Sequence, residues 1–230
     1  MHAIIPAAGM GRRLGAFARG KPKSLMKISD QPLLLHTARL LAARKVQRLT
    51  VIVGYQSERF AQVLGASVDG MAVDYARNSQ YQSTEHGYSV YCAREAWREL
   101  EMPVLFMDAD NAFAAPLLDR LLAAPHADCV LVDPMLRSAS QDEELVLGSN
   151  GMVSGFVRGR ATSFDNCVGG FVGMNRFSKH YMGELFDCMD TLFADPVAPT
   201  NFGLKYERVF NRLAHERGVK PRYLDTGGLD

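Results

Sequence analysis

Residues 2–23 read HAIIPAAGMGRRLGAFARGKPK and hold the strongest chemical signal in the chain. A short apolar run, Ala3 to Ile5, opens into a loop with Gly9, Gly11 and Gly15, and the loop carries Arg12, Arg13, Lys21 and Lys23. Glycine has no Cβ and reaches positive φ cheaply, so a ligand's phosphates can approach such a backbone closely. Successive N–H groups then point at the anion while the cations neutralise it. A second set, Asp108 and Asp110 in FMDADNAF, follows another apolar run. Side chains two apart on an extended segment share a face, so both carboxylates can enter one crevice. Oxygen donors of this kind suit Mg²⁺, which bridges protein to phosphate oxygens. Cations for phosphates and acids for a hard metal are the equipment of phosphoryl chemistry.

These groups need a scaffold that brings distant loops together. Leu33–Arg44 has helical periodicity, and Leu49–Val53 is a β-branched run closed by Gly54. Ser57 is placed to cap a helix through Leu64, Val73–Ala76 reads as a strand, and Tyr88–Leu100 as a helix. Val104–Met107 is a strand ending at the acidic pair, Pro116–Ala124 a helix with proline in its first turn, and Cys129–Val132 a buried strand. This alternation predicts a doubly wound α/β sheet with right-handed, Rossmann-like connections. Beyond about residue 140 the strands shorten (Leu145–Gly148, Val153–Val157 and Val168–Met174), which predicts a mixed sheet. Phe177–Phe193 and Leu204–Glu216 read as helices. At 230 residues without a linker or repeat, one domain is the economical reading.

The loop is neither a P-loop nor the dinucleotide fingerprint G-x-G-x-x-G. Ala7-Ala8-Gly9-Met10-Gly11-Arg12-Arg13-Leu14 followed by Lys21-Pro22-Lys23-Ser24-Leu25 resembles A-A-G-x-G-x-R-L and K-P-K-x-L. These open the nucleotidyltransferases that join a nucleoside triphosphate to a phosphorylated sugar or alcohol. Asp110 with Phe113 resembles that family's G-D-x-x-F/Y metal element, with Asp108 as the second candidate. Residues 78–91, NSQYQSTEHGYSVY, are similar to N-x-x-Y-x-x-T-N-N-x-Y-S-L of the cytidylyltransferases that use phosphocholine or a phosphonate. Asn78, Tyr81, Thr84, Tyr88 and Ser89 match, whereas Glu85 and His86 stand where that family has asparagines. HGYSV is also similar to the N-G-Y-S-L of inositol-phosphate cytidylyltransferases.

The resemblance implies a GT-A-like nucleotidyltransferase fold in a single domain, with residues 1–135 for the nucleotide and 136–230 for the acceptor. It implies transfer of CMP from CTP to a small phosphorylated alcohol or phosphonate, with Mg²⁺ as cofactor. Ala7, Ala8, Gly9, Gly11, Arg12, Asn78, Thr84, Tyr88 and Ser89 would contact the nucleotide. Lys23, Arg13 and Asp110 would be catalytic, with Arg12 or Arg13 receiving the pyrophosphate. The metal would rest on Asp110, Asp108 and Asp225. Lys205-Tyr206-Glu207 resembles the family's E-Y-E, residues 169–173 its G-E-x-x-G strand, and Arg158 falls near a phosphate-reaching lysine. The family's closing W-x-E-I-D is missing after Tyr223, so the resemblance implies either that Asp225 substitutes for its aspartate or that the sequence is cut there from a longer or fused polypeptide. Spacing leaves CTP and UTP unseparated. A sugar-1-phosphate uridylyl- or thymidylyltransferase and a non-catalytic nucleotide-binding regulatory domain remain the alternatives.

Composition narrows the partners. A net charge of +1 gives no global field for nucleic acid or an anionic membrane. No apolar run approaches the roughly 20 residues a bilayer span needs, and Met1 leads into a strand rather than a signal peptide. Cys92, Cys129, Cys167 and Cys188 have no C-x-x-C spacing, which favours buried free thiols, a cytoplasmic setting and no zinc site. Oligomeric state is not legible, and a homo-oligomer stays open.

Overall fold

The computed structural model describes residues 1–11, 20–28, 30–98, 103–135, 144–159, 164–193 and 203–228. Its first half is the expected parallel sheet. β1 (His2–Pro6) pairs in parallel with β4 (Arg48–Val53) on one side and β7 (Val104–Met107) on the other. Beyond β4 lies β6 (Met71–Arg77), with the two-residue β5 (Ser67–Val68) on its outer edge. A small separate hairpin, β2 (Lys27–Ile28) and β3 (Gln31–Pro32), precedes the first helix. The chain runs outward from β1 in both directions, so β1 marks the switch point at which open α/β sheets form a ligand crevice.

Side chains alternate across this sheet with a period of two. Ala3, Ile5, Leu105 and Met107 face one apolar cluster, and Ile4, Val104 and Phe106 face the other. The first cluster is covered by α1 (Leu33–Ala43), α2 (Ser57–Leu64) and α5 (Ala115–Ala123). In α1 the residues Leu34, Thr37, Ala38 and Leu41 recur on one face and are buried, the spacing of an amphipathic helix. The second cluster is covered by α3 (His86–Tyr91), α4 (Arg94–Arg98), α6 (Lys179–Phe193) and α7 (Tyr206–Arg212).

The second half supplies the mixed character. β8 (Cys129–Asp133) is followed by a hairpin of β9 (Glu144–Ser149) and β10 (Met152–Arg158), which turns through Asn150 and Gly151 at positive φ. The eleven-residue β11 (Cys167–Phe177) runs antiparallel between β7 and β8, and its first residues also pair with β9. β12 (Arg222–Asp225) joins β8 in parallel.

Several expected elements differ in detail. The short strand expected over Val168–Met174 is the eleven-residue β11, and it takes Phe177 from the helix expected to start there, which begins at Lys179. Ser57 opens α2 without capping it, because Gln56 takes the cap position in a left-handed conformation with no side-chain cap bond. The helix expected over 88–100 divides into α3 and α4: the Cys92 N–H is shared between the Tyr88 and Ser89 carbonyls, and Ala93 bonds Val90, so the turn tightens and ends. The last helix changes at Leu213 into a wider π turn through Arg217 and stops at Gly218, φ +69°. Of the cysteines, all four are free, with Cys129 and Cys188 buried and the other two part-buried. Among the described residues no helix is long and apolar enough to cross a membrane.

Candidate active site

A cleft of about 720 Å³ opens at the carboxyl ends of β1 and β7. One wall is the segment from Pro6 to Gly11 that leaves β1, and beside it stand Lys23 and Ser24 from the single helical turn Lys23–Leu25. The opposite wall is Asp108, Ala109 and Asp110, which leave β7. Lys23 Nζ donates to Asp110 Oδ2 at 2.5 Å across 87 residues of sequence. The loop that would cradle phosphates and the acid that would hold a metal therefore converge on one space. Ala7 and Ala8 bury their methyl groups and offer only backbone to the cleft. A Cβ on Gly9 would find no atom within 4 Å, so its missing side chain opens onto the cleft.

Asp108 and Asp110 occupy different environments. Asp110 is about two-fifths exposed at the cleft edge. Asp108 lies deeper, where its Oδ1 accepts the Tyr206 hydroxyl at 2.7 Å. Burial pushes the Asp108 carboxyl up to about 8, with the Tyr206 hydrogen bond opposing and Glu207 and Asp110 adding to the rise. Asp110, at the exposed edge of the cleft, is the more accessible oxygen donor of the two. Among the described residues no three His, Cys, Asp or Glu side chains gather as a metal group. One or two carboxylates alongside substrate phosphates still match the way Mg²⁺ is commonly held.

Several residues expected at the ligand are placed elsewhere. Asn78 is completely buried and does not line the cleft. Its Nδ2 donates to Thr84 Oγ1 and Ser89 Oγ, both at 3.0 Å, and its Oδ1 accepts the Gln80 N–H. Asn78 thus shapes the loop, while Thr84 and Ser89 reach the cleft wall. Tyr88 turns into the second apolar cluster, edge-on to Phe193 with ring centroids 5.5 Å apart, because the helical period carries it away from Ser89. Asp225 is not brought to the other two aspartates. It ends β12, three strands away from β7 in the sheet order, and its carboxylate accepts the Gly227 N–H in the following turn. Arg12 and Arg13 lie outside the described residues.

The cleft also holds groups beyond the expected ligand contacts, among them Arg158 and Glu207, which the resemblance marks only as motif matches. Glu85, His86, Arg158, Lys205 and Glu207 all line it. Glu207 is buried, and its carboxyl is raised to about 7, first by burial and then by Glu144. The α7 residues arrive here because α3 packs closely on the chain before α7: the Gly87 N–H donates to the Leu204 carbonyl, and a Cβ on Gly87 would lie 2.4 Å from that oxygen. The Gly87 signal was present in the sequence, but its partner 117 positions later was not identifiable from it.

A β1 loop beside paired acids at the switch point of a mixed sheet defines a domain of the nucleotide-transferring α/β class. Residues 3–156 match the MobA-like NTP transferase domain, and the chain belongs to that family. A CMP-5'-(3-aminopropyl)phosphonate synthase of Streptomyces rubellomurinus is 34% identical over 137 residues, 60% of this chain and 21% of the relative. A choline-phosphate cytidylyltransferase of Streptococcus pneumoniae is 32% identical over 111 residues, 48% of this chain and 45% of that protein. The matched segments thus span a fifth to under a half of these relatives. A solved CTP:phosphocholine cytidylyltransferase from Streptococcus pneumoniae shares the fold with a TM-score of 0.73 at 18% identity, over 97% of this chain and 89% of the other.

Proposed function

We propose that this chain transfers CMP from CTP to a small phosphate- or phosphonate-bearing acceptor and releases pyrophosphate. The observation that carries the reading is the meeting of Lys23 and Asp110 over the glycine loop. Residues 1–135 would bind the nucleotide and 136–230 would shape the acceptor end. An acceptor oxyanion attacks the α-phosphorus in line, a new P–O bond forms, and the bond to the β-phosphate oxygen breaks. The acceptor is already an anion at neutral pH, so no general base is required and the protein contributes position and charge. Lys23 offsets the charge that grows on the α-phosphoryl oxygens. The Gly9–Gly11 backbone holds the phosphates, with Arg12 or Arg13 on the departing pyrophosphate. Asp110 and, once ionised, Asp108 would hold Mg²⁺, which supplies Lewis-acid neutralisation of the triphosphate.

The choice of CTP and of a phosphonate or phosphocholine-like acceptor is supported by what the two relatives are named for. Thr84 and Ser89 on the cleft wall agree with that motif class. The test is pyrophosphate release with each of the four nucleoside triphosphates against phosphocholine, 2-aminoethylphosphonate, inositol phosphate and glucose-1-phosphate. CTP with a phosphonate or phosphocholine is the expected pair. Release from UTP with glucose-1-phosphate alone moves the chain to the sugar class, and release from no pair leaves a nucleotide-binding regulatory domain.

A further inference from the structure

Glu207 lines the cleft, and a second poorly exposed carboxylate, Glu144, acts on it from outside the lining. The Glu207 side chain is 6% exposed, and its Oε2 receives no hydrogen bond from the described residues. The Glu144 side chain is 10% exposed, and neither of its oxygens receives one either. The ammonium beside them belongs to Lys205, 3.7 Å from Glu144 Oε2. A buried carboxylate oxygen without a donor is costly, and a ligand that brings a donor relieves that cost. The burial that raises the Glu207 carboxyl is the same cost seen as protonation.

His86 decides what kind of donor fits. Its Nε2 lies 3.3 Å from Glu207 Oε2, outside hydrogen-bond geometry, and its ring lies across Tyr206 at 4.6 Å between centroids. The imidazole thus packs tilted against Tyr206, whose ring is fully buried and whose hydroxyl is committed to Asp108. A quaternary ammonium has no N–H to give and depends on open aromatic faces. The wall beside Glu207 offers carboxylate oxygens instead. Arg158 and Lys205, which also line the cleft, suit the acceptor's phosphate or phosphonate end.

We propose that Glu207 anchors a primary ammonium at the far end of the acceptor and that His86 is the residue that disfavours a quaternary one. This deepens the transferase reading and rests on it. The acceptor class is then an ω-aminoalkyl phosphonate or phosphate rather than a choline ester.

The test measures kcat/KM of the full chain with CTP for 2-aminoethylphosphonate, 2-hydroxyethylphosphonate and phosphocholine. The amine is expected to exceed its hydroxyl analogue by about 10- to 100-fold, the range for one charge-assisted hydrogen bond. Glu207→Gln is expected to bring that ratio near one through the acceptor KM, with the KM for CTP reporting an intact fold. Glu207→Asp, which keeps the charge but retracts it, is expected to give an intermediate ratio and covers the case in which the glutamine variant fails to fold. His86→Asn is expected to raise phosphocholine relative to the primary amine. A wild-type ratio within about threefold, or a ratio unmoved in both Glu207 variants, overturns the proposal while leaving the transferase reading standing. No pyrophosphate from any acceptor with CTP overturns that reading and this one together.

Discussion

Gly173 sits in β11 at φ +73° with the site carboxylate directly above it. A Cβ there would lie 2.3 Å from Asp108 Oδ2 and 2.8 Å from Asn111 Nδ2. Carbon–oxygen contacts ordinarily stop at about 3.3 Å, so Gly173→Ala forces the carboxylate to move by about 1 Å. Two costs add. The left-handed backbone costs an alanine about 1–2 kcal/mol, and overpacking adds about 1–3 kcal/mol. Displacing a site group by about 1 Å can lower a rate by ~10². Gly218→Ala is the matched control, since Gly218 has φ +69° and no atom within 4 Å of the added Cβ. Urea unfolding is expected to give a loss of about 2–5 kcal/mol for Gly173→Ala and about 1–2 kcal/mol for Gly218→Ala. Pyrophosphate release is expected to fall ~10²-fold in the first and to persist in the second. Equal stability losses in the two variants, with turnover kept in Gly173→Ala, would refute the claim that Gly173 is there to make room for Asp108.

Three further outcomes follow from the site. Lys23 and Asp110 are both about two-fifths exposed, so breaking their pair with Lys23→Ala or Asp110→Asn should change unfolding stability by less than ~1 kcal/mol, while turnover falls at least ~10²; near-wild-type turnover in either variant removes that residue from the mechanism. Asn78→Ala takes a partner from two cleft hydroxyls and from the Gln80 N–H of the loop, so it should cost about 1–3 kcal/mol in urea unfolding and raise the KM for CTP. For Asp108 the folded carboxyl is raised from 3.8 to about 8, so its contribution to stability is full below the ordinary value and is lost as pH climbs through the raised one. Asp108→Asn should therefore be more stable than the wild type without ligand near pH 8, with the advantage shrinking toward about pH 4 in thermal melts.

The alternation of apolar runs and helical patterns through residue 133 determined the doubly wound half of the sheet, because a period of two and a period of 3.6 are local properties. The same holds for the placement of the glycine loop after β1 and the acids after β7, each adjacent in sequence to the strand that delivers it. Only the tertiary structure decided three other matters. It inserted β11 antiparallel between β7 and β8, a pairing of strands that no local pattern encodes. It also sorted the 78–89 motif, burying Asn78, packing a part-buried Tyr88 on the second core and presenting Thr84 and Ser89 to the cleft, since side-chain direction depends on which face meets that core. Finally, it brought Glu207 and Lys205 beneath the cleft and kept Asp225 away from it. Those positions are set by packing between distant segments, Gly87 on Leu204 and Asp225 beside Val132, and spacing along a single chain does not record such contacts.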